Sequence, residues 1–564
     1  MKKRYFGILG LSLIATLASC GSSNSGGNTN TGSDVEGNTE EIDIEDDDIS
    51  GDFTLVNESG DEISPSNGVY TISAAGIYTA SGKLSSGQIY VDAAEAEVEL
   101  DLNGVSMTSS SVSPIFVNTC ADFTLKSIKD TSNYIYDTRT TDYSETTDET
   151  IGTAAVYSAD GDIKLNGKGT LSIISSTNSG VHSKDNVTVK NVTMLIKAQN
   201  NGIKGNDKVT IEEDPTIGIV CGNNGIKTSN SEVGTNAQHG SIYINGGTIT
   251  INSYGDGVDA AYGIYFGTST DSDGTEYTPT IDVYTNIYSS YTVSSTSSYT
   301  VSLTGFGGGT PGDNGFDGGG TTGGTSAEKA DESAKAFKAN ETIDITCGDI
   351  FAYTYDDALH TNNDTNLDSG ATPSATVNIS GGELNLKASD DGLHADGTLT
   401  ISGGTVYIAE SYEGVEGNKI VISGGETTVY ADNDAVNASS SLVISGGRVD
   451  VNMAASGDCD GLDSNGTFSI TGGTIITRGP NSDMASAIDT DSTVSITGGT
   501  VIILGYCNTS GMSASKMTLT KSSSAGLSSG SHTVTVGSTT VSYSNSYTYS
   551  GTCYVYASGS ATIK

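Results

Sequence analysis

DDGLHADGTLTISGGTVYIAESYEGVEG, residues 390–417, holds one unit of a repeat and the start of the next. Its Asp-Asp-Gly-Leu393 step returns as Tyr-Glu-Gly-Val415, and its Thr-Leu-Thr-Ile-Ser at 398–402 returns as Lys-Ile-Val-Ile-Ser at 419–423. The Gly-Gly pairs that begin at Gly381, Gly403, Gly424 and Gly446 lie 22, 21 and 22 residues apart, and Gly472 and Gly498 follow at intervals of 26. Working outward, the acidic or Asn step recurs ahead of Ile203, Ile226, Val258, Leu359, Leu393, Val415, Val436 and Leu462, with weaker copies at Val181 and Ile488. A period of about 20 to 50 residues signals stacked units, and alternating β-branched segments signal strands. No helical period appears. A unit of roughly 22 residues with two or three short strands has the size of one turn of a parallel β-helix, where each strand pairs with its counterpart in the next turn. Leucine-rich repeats lack a matching Leu and Asn pattern here, and a propeller needs about twice the period. The expected fold class is all-β, a parallel β-helix solenoid.

The flanks set the expected organisation. Lys2, Lys3 and Arg4 precede an apolar run from Tyr5 to Ala18, too short for the roughly 20 residues that span a bilayer, so 1–19 reads as an export signal. Its end, Leu17-Ala18-Ser19-Cys20, resembles the bacterial lipobox, which makes Cys20 the expected lipidation site and places the protein on a bacterial membrane, at the cell surface. Residues 20–50 are Ser/Gly/Asn-rich and then acidic, an expected disordered tether. The solenoid is expected over 51–263 and 341–505, broken by a Gly/Ser/Thr-rich excursion at 264–340 and closed by a terminal cap at 506–564. Six cysteines remain after Cys20, at spacings from which no disulfide pairing follows. Loss of Lys2, Lys3 and Arg4 with the leader takes the formal net charge from -43 to -46. Nucleic acid is thereby excluded as a partner, because its binding rests on phosphate neutralisation by Lys and Arg.

Stacking turns the repeat into columns. Two residues before the aliphatic position stand Ser179, Asn201, Asn224, Asp256, Asp357, Asp391, Glu413, Asp434, Asp460 and Ser486. Neighbouring strands lie about 4.8 Å apart, where two like charges repel by about 0.9 kcal/mol in water and about 3.5 kcal/mol at an effective dielectric of 20. A run of such acids calls for a counter-charge. Calcium suits it, because it accepts six to eight hard oxygen ligands in flexible geometry. The candidate ligands are Asp356, Asp357, Asp390, Asp391, Glu413, Glu416, Asp432, Asp434, Asp458, Asp460 and Asp463; zinc fits less well, since no His clusters with Cys at tetrahedral spacing. Against this stands the use of Asp and Asn simply as turn formers.

One residue after the aliphatic position the column reads His182, Lys204, Lys227, Asp259, His360, His394, Glu416, Asn437, Asp463 and Asp489. Lys204 and Lys227, one turn apart, are candidates for a cationic ladder facing sugar carboxylates, the alternative being that they pair with nearby acids. The chain has 28 Tyr, 10 Phe and no Trp. Tyrosine combines an apolar ring with a hydroxyl, and Tyr412, with Tyr407 and Tyr430 on successive units, is the expected sugar contact.

The ordered motifs Gly180-Val-His-Ser-Lys-Asp, Asn201-Gly-Ile-Lys-Gly-Asn-Asp, Lys335-Ala-Phe-Lys-Ala, Asp356-Asp-Ala-Leu-His-Thr-Asn, Ser389-Asp-Asp-Gly-Leu-His-Ala-Asp-Gly and Ser411-Tyr-Glu-Gly-Val-Glu-Gly resemble the calcium-containing carbohydrate-binding family of bacterial surface proteins, similar in fold to pectate lyases. That resemblance runs from about Gly68 to the C-terminus. It implies a right-handed parallel β-helix, bound calcium and affinity for plant-type polysaccharides, acidic ones included, without established catalytic residues. The residues themselves also argue against an enzyme. A lyase needs a basic residue beside its metal, yet the arginines that survive processing, Arg139, Arg448 and Arg478, stand outside the acidic motif. A hydrolase-like set, Asp390-Asp391 with His394, recurs as Asp356-Asp357 with His360, and repetition points to structure. The expected function is non-catalytic polysaccharide binding by a monomer, pectin-type or cellulosic; the alternatives are a uronate lyase or hydrolase, or a purely structural surface solenoid.

Overall fold

The computed structural model describes residues 49–143, 151–231, 239–286, 333–363, 374–482 and 484–564. The leader, Cys20, nearly all of the 20–50 tether and the 287–332 part of the expected excursion lie outside these residues.

Alternation builds the strands. In Leu393–Ile401, Leu393, Ala395, Leu399 and Ile401 are fully buried while His394, Asp396, Thr398 and Thr400 between them reach the surface. This strand pairs in parallel with Val415–Ile422, which pairs in parallel with Val436–Ile444, so Leu393, Val415 and Val436 stand in register. The strands that follow the Gly-Gly turns do the same: Glu383–Ala388 pairs with Thr405–Glu410, and that with Glu426–Val429. Among the described residues forty strands join one continuous sheet, and the helical turn is Thr509–Gly511. The chain is all-β, with its inward side chains merged into one long apolar core.

The Gly-Gly pairs have two different causes. A Cβ on Gly403 would lie 2.3 Å from the Ser380 carbonyl oxygen in the preceding unit, so stacking forbids it. Gly404 has φ +77°, the left-handed region that costs an L side chain energy. The first glycine serves stacking and the second serves the turn.

Antiparallel strands close the parallel stack at both ends. Thr54–Asn57 pairs with Gly76–Leu84 near the start, and Thr552–Ala557 runs antiparallel to Thr500–Gly505 at the other end, covering its open edge. The described part of 264–340 departs from the sequence expectation. Thr280–Thr285 pairs in parallel with both Ser241–Ser253 and Asp349–Thr354, and Phe337–Ala339 continues the aliphatic column between Val258–Ala260 and Leu359–Thr361. Ile281 and Val283 are fully buried, an alternation that the surrounding Tyr/Thr-rich sequence disguised. The six described cysteines, Cys120, Cys221, Cys347, Cys459, Cys507 and Cys553, are free thiols.

Candidate functional site

Parallel register makes both columns real. Residues two before the aliphatic position are tied from unit to unit by main-chain bonds, such as Gly392 N to Glu413 O and Gly414 N to Asp434 O, both 2.9 Å. Their side chains form a second ladder. The main-chain N–H of Asp256 donates to Asn224 Oδ1, that of Lys335 to Asp256 Oδ1, that of Asp391 to Asp357 Oδ1 and that of Asp460 to Asp434 Oδ1, each at 2.9 Å. One carboxylate oxygen of Asp256, Asp357 and Asp434 therefore holds the neighbouring backbone.

The structure inserts a residue that sequence alignment skipped. Phe337 occupies an aliphatic position, so Lys335 stands in the acidic column between Asp256 and Asp357. Its Nζ lies 2.8 Å from Asp356 and 2.6 Å from Asp357. Burial opposes its charge, but these two acids raise its pKa overall. The aromatic ring in place of an aliphatic side chain hid this unit, although its Lys-Ala-Phe-Lys-Ala pattern is in phase.

His394 supplies the next counter-charge, with His360 hydrogen-bonded beside it. The His360 and His394 rings stack with centroids 4.3 Å apart. His360 Nδ1 is 2.5 Å from Asp357, and His394 Nδ1 is 2.7 Å from Asp391 and 3.1 Å from Glu416. Burial works against ionising Asp357, yet hydrogen bonds and charge from His360 and Lys335 hold its pKa below the usual carboxylate range. Burial also works against charging His394, but Asp391, Asp396 and Glu416 push its pKa up to about 11, so it carries a proton at neutral pH. The geometry brings together Asp356, Asp357 and Asp390, and separately Asp391, His394 and Glu416. Part of the counter-charge that the sequence reading assigned wholly to calcium is thus built into the chain.

Further along, the acids lose these cations. Burial raises Glu413 to about 7, helped by Glu416. Burial likewise lifts Asp460 to about 6 and Asp463 to about 7, with Asp434 and Asp489 adding repulsion to each. Asn437, between Glu416 and Asp463 in the second column, donates to Glu413 at 3.1 Å, while its own Oδ1 is buried without a hydrogen-bond partner. Glu413, Asp434, Asn437, Asp460 and Asp463 thus offer oxygen donors alone, the ligand chemistry of a hard divalent cation, while the all-carboxylate group whose ligand atoms lie within 4.8 Å of one another among the described residues is Asp356, Asp357 and Asp390. Asp432 and Asp458 stand outside it as exposed residues at the turn.

The other end of the second column is cationic. Lys204 pairs in register with Lys227, whose Nζ lies 2.5 Å from Asp259. His182 is buried between Thr153, whose hydroxyl is 2.5 Å from Nδ1, and Asn206, whose Oδ1 is 3.0 Å from Nε2. An amide oxygen only accepts, so Nε2 carries the proton and Nδ1 accepts from the hydroxyl. Burial, with Lys204 and Lys184 nearby, lowers the His182 pKa to about 3. A depressed pKa adds stability above the unfolded value near 6.5 that is lost as pH falls toward 3. Between pH 6.5 and 4 this single group should cost roughly 3 kcal/mol, and His182→Gln should flatten that part of the acid-unfolding profile; identical wild-type and variant profiles would exclude this role.

Tyr412 lies at the turn beside these acids, 42% exposed, with its hydroxyl pKa raised by burial and by Glu413, Asp434, Asp390 and Asp391. Arg139 and Arg478 are both fully buried and engaged, Arg139 with Asp137 and Arg478 with Asp450, so neither is placed to take a proton from a bound sugar.

A family model described as carbohydrate-binding domain-containing protein matches residues 66–378, 371–414 and 413–564. A carbohydrate-binding domain-containing protein of Acetivibrio thermocellus is 30% identical over 190 residues, 33% of this chain, and the match spans 64% of that relative's length. A solved structure of a polysaccharide lyase-like protein from C. thermocellum, a gadolinium derivative, shares 28% identity over 40% of this chain and 84% of its own, at a TM-score of 0.35. With the family model covering most of its length, the chain belongs to the carbohydrate-binding domain-containing protein family.

Proposed function

We propose that this protein is an exported polysaccharide-binding protein, lipid-anchored through Cys20, that binds glycans without cleaving them. Its parallel stack is read as a right-handed β-helix, since parallel crossovers take that hand in about 98% of cases. Its acidic columns are read as calcium sites. The observation that carries the calcium reading is the cluster Asp356, Asp357 and Asp390, where Asp356 Oδ1 is buried without a hydrogen-bond partner; the oxygen donors Glu413, Asp434, Asn437, Asp460 and Asp463 extend it along the column, with raised carboxyl pKa values. Calcium bound there would supply the missing positive charge and a bridge to uronate carboxylates. Non-catalytic binding is supported by the repetition of the Asp-Asp-His set, in which both Asp357 oxygens and one Asp391 oxygen are held by neighbouring backbone and imidazole.

Affinity electrophoresis in polygalacturonate tests this reading. Retardation is expected with calcium and at least about tenfold weaker binding with chelator, with Asp434→Asn/Asp460→Asn matching the chelated protein. Calcium-independent retardation would remove the bridging role, and unsaturated products absorbing in the ultraviolet would replace binding by lyase chemistry. Because Lys227 is already paired with Asp259, Lys204→Gln/Lys227→Gln is expected to weaken binding by no more than about threefold.

A further inference from the structure

Three successive units place His360, His394 and Glu416 in register on the second column. The two imidazole rings stack at 17° with centroids 4.3 Å apart. Asp391 reaches in from the turn of the middle unit, its Oδ2 2.7 Å from His394 Nδ1, and Glu416 Oε2 lies 3.1 Å from the same nitrogen. Ligand atoms of Asp391, His394 and Glu416 all fall within 4.8 Å of one another, and so do those of His360 and His394. Further along the stack Glu413, Asp434, Asn437, Asp460 and Asp463 offer oxygen alone, whereas here two imidazoles join two carboxylates.

We propose that His360, His394, Asp391 and Glu416 form a site for a divalent metal of the zinc and nickel class, distinct from the calcium sites read from the oxygen-only acids. The site stands independently of the carbohydrate-binding reading. Imidazole nitrogen suits zinc, nickel and copper, whereas calcium takes oxygen. The spacing fits such an ion. Ligands 2.0–2.1 Å from a tetrahedral zinc stand about 3.3 Å from one another, and the separations here, 2.7 and 3.1 Å with rings at 4.3 Å, lie on both sides of that value. Small side-chain rotations, without backbone movement, would seat the ion. A second feature points the same way: metal-bound histidines give their other N–H to a carboxylate that fixes the ring. With His394 Nδ1 turned to the site, its Nε2 lies 3.5 Å from Asp396 Oδ1, and the Asn363 main-chain N–H holds Asp396 Oδ2 at 3.1 Å. Asp391 is likewise fixed, its own N–H donating to Asp357 Oδ1 at 2.9 Å. The His394 and Glu416 side chains are 20% and 29% exposed, which leaves a path from solvent. On binding, the ion takes the place of the proton that His394 Nδ1 shares with Asp391 and Glu416, and that proton passes to solvent.

The test uses the full-length protein, stripped with chelator and titrated with zinc, nickel or calcium chloride, read by calorimetry and by NMR of the histidine rings. The chain has five histidines, so the signals of His360 and His394 can be followed singly. Zinc or nickel is expected to bind with a Kd of about 1 μM or tighter, to move those two signals and not that of His182, and to persist in about a hundredfold excess of calcium. His360→Gln and His394→Gln are each expected to weaken zinc binding at least about tenfold while keeping the calcium-dependent gain in melting temperature. Asp434→Asn/Asp460→Asn is expected to do the reverse. The site is overturned if both ring signals stay in place at saturating zinc, if calcium displaces zinc at equal concentration, or if both glutamine variants bind zinc as wild type does. Should a variant fail to fold, the wild-type ring signals and the calcium competition decide. Zinc that still moves the two rings in a protein indifferent to calcium supports this site and removes the calcium reading alone.

Discussion

Arg139→Met is expected to destabilise the protein by about 3–5 kcal/mol. Arg139 and Asp137 are 1% and 0% exposed, with Nε 2.8 Å from Oδ1 and Nη2 2.6 Å from Oδ2. The same guanidinium donates to the Gly152 carbonyl at 2.8 Å and the Ala154 carbonyl at 3.1 Å. Removal leaves a buried carboxylate with only the Ser175 hydroxyl at 3.1 Å and the residue-139 N–H at 3.2 Å, and the Ile151 and Gly152 carbonyls lose the guanidinium donor, while Ala154 O keeps the Ser113 hydroxyl at 2.6 Å. The melting temperature should fall by about 10 °C, given roughly 2–4 °C per kcal/mol for a large domain. Asp137→Leu/Arg139→Met should recover most of that loss, because an apolar pair of similar volume often replaces a buried ion pair without net cost. A double variant as unstable as the single one would show that the carbonyl bonds, not the stranded charge, dominate.

The second large effect is that of calcium, and its pH dependence has a definite sign. Burial raises Glu413, Glu416 and Asp463 to about 7 and Asp460 to about 6. A carboxyl raised above its unfolded value contributes stability below about pH 4 that is lost as pH rises through its folded pKa. The metal-free protein should therefore lose stability at these sites between about pH 4 and 7. Calcium acts in the opposite direction, because its ligands must be deprotonated. At a hundredfold excess over Kd the ion adds about 2.7 kcal/mol. Calorimetry at pH 5 and pH 8, with calcium and with chelator, should show a gain of several degrees at pH 8 and a smaller one at pH 5. Equal melting temperatures with and without calcium at pH 8 would remove these acids from the metal reading.

The repeat determined the all-β class and the phase of both columns before any coordinate was needed. Local chemistry suffices for this: alternation in 398–402 and 419–423 marks strands, and equal spacing between Gly-Gly pairs forces equal register, so Asp391, Glu413 and Asp434 had to align. Partnership across the stack lay beyond it. Lys335 entered the acidic column only when Phe337 was seen to pair with Val258 and Leu359, residues 79 and 22 positions away. The ladder from carboxylate oxygen to the next unit's N–H, the stacked His360 and His394, and the Tyr407–Tyr430 ring contact likewise join residues from different units. Periodicity specifies which residues share a column; how their charges are neutralised depends on which side chains meet across about 5 Å of sheet, and only the tertiary structure decides that.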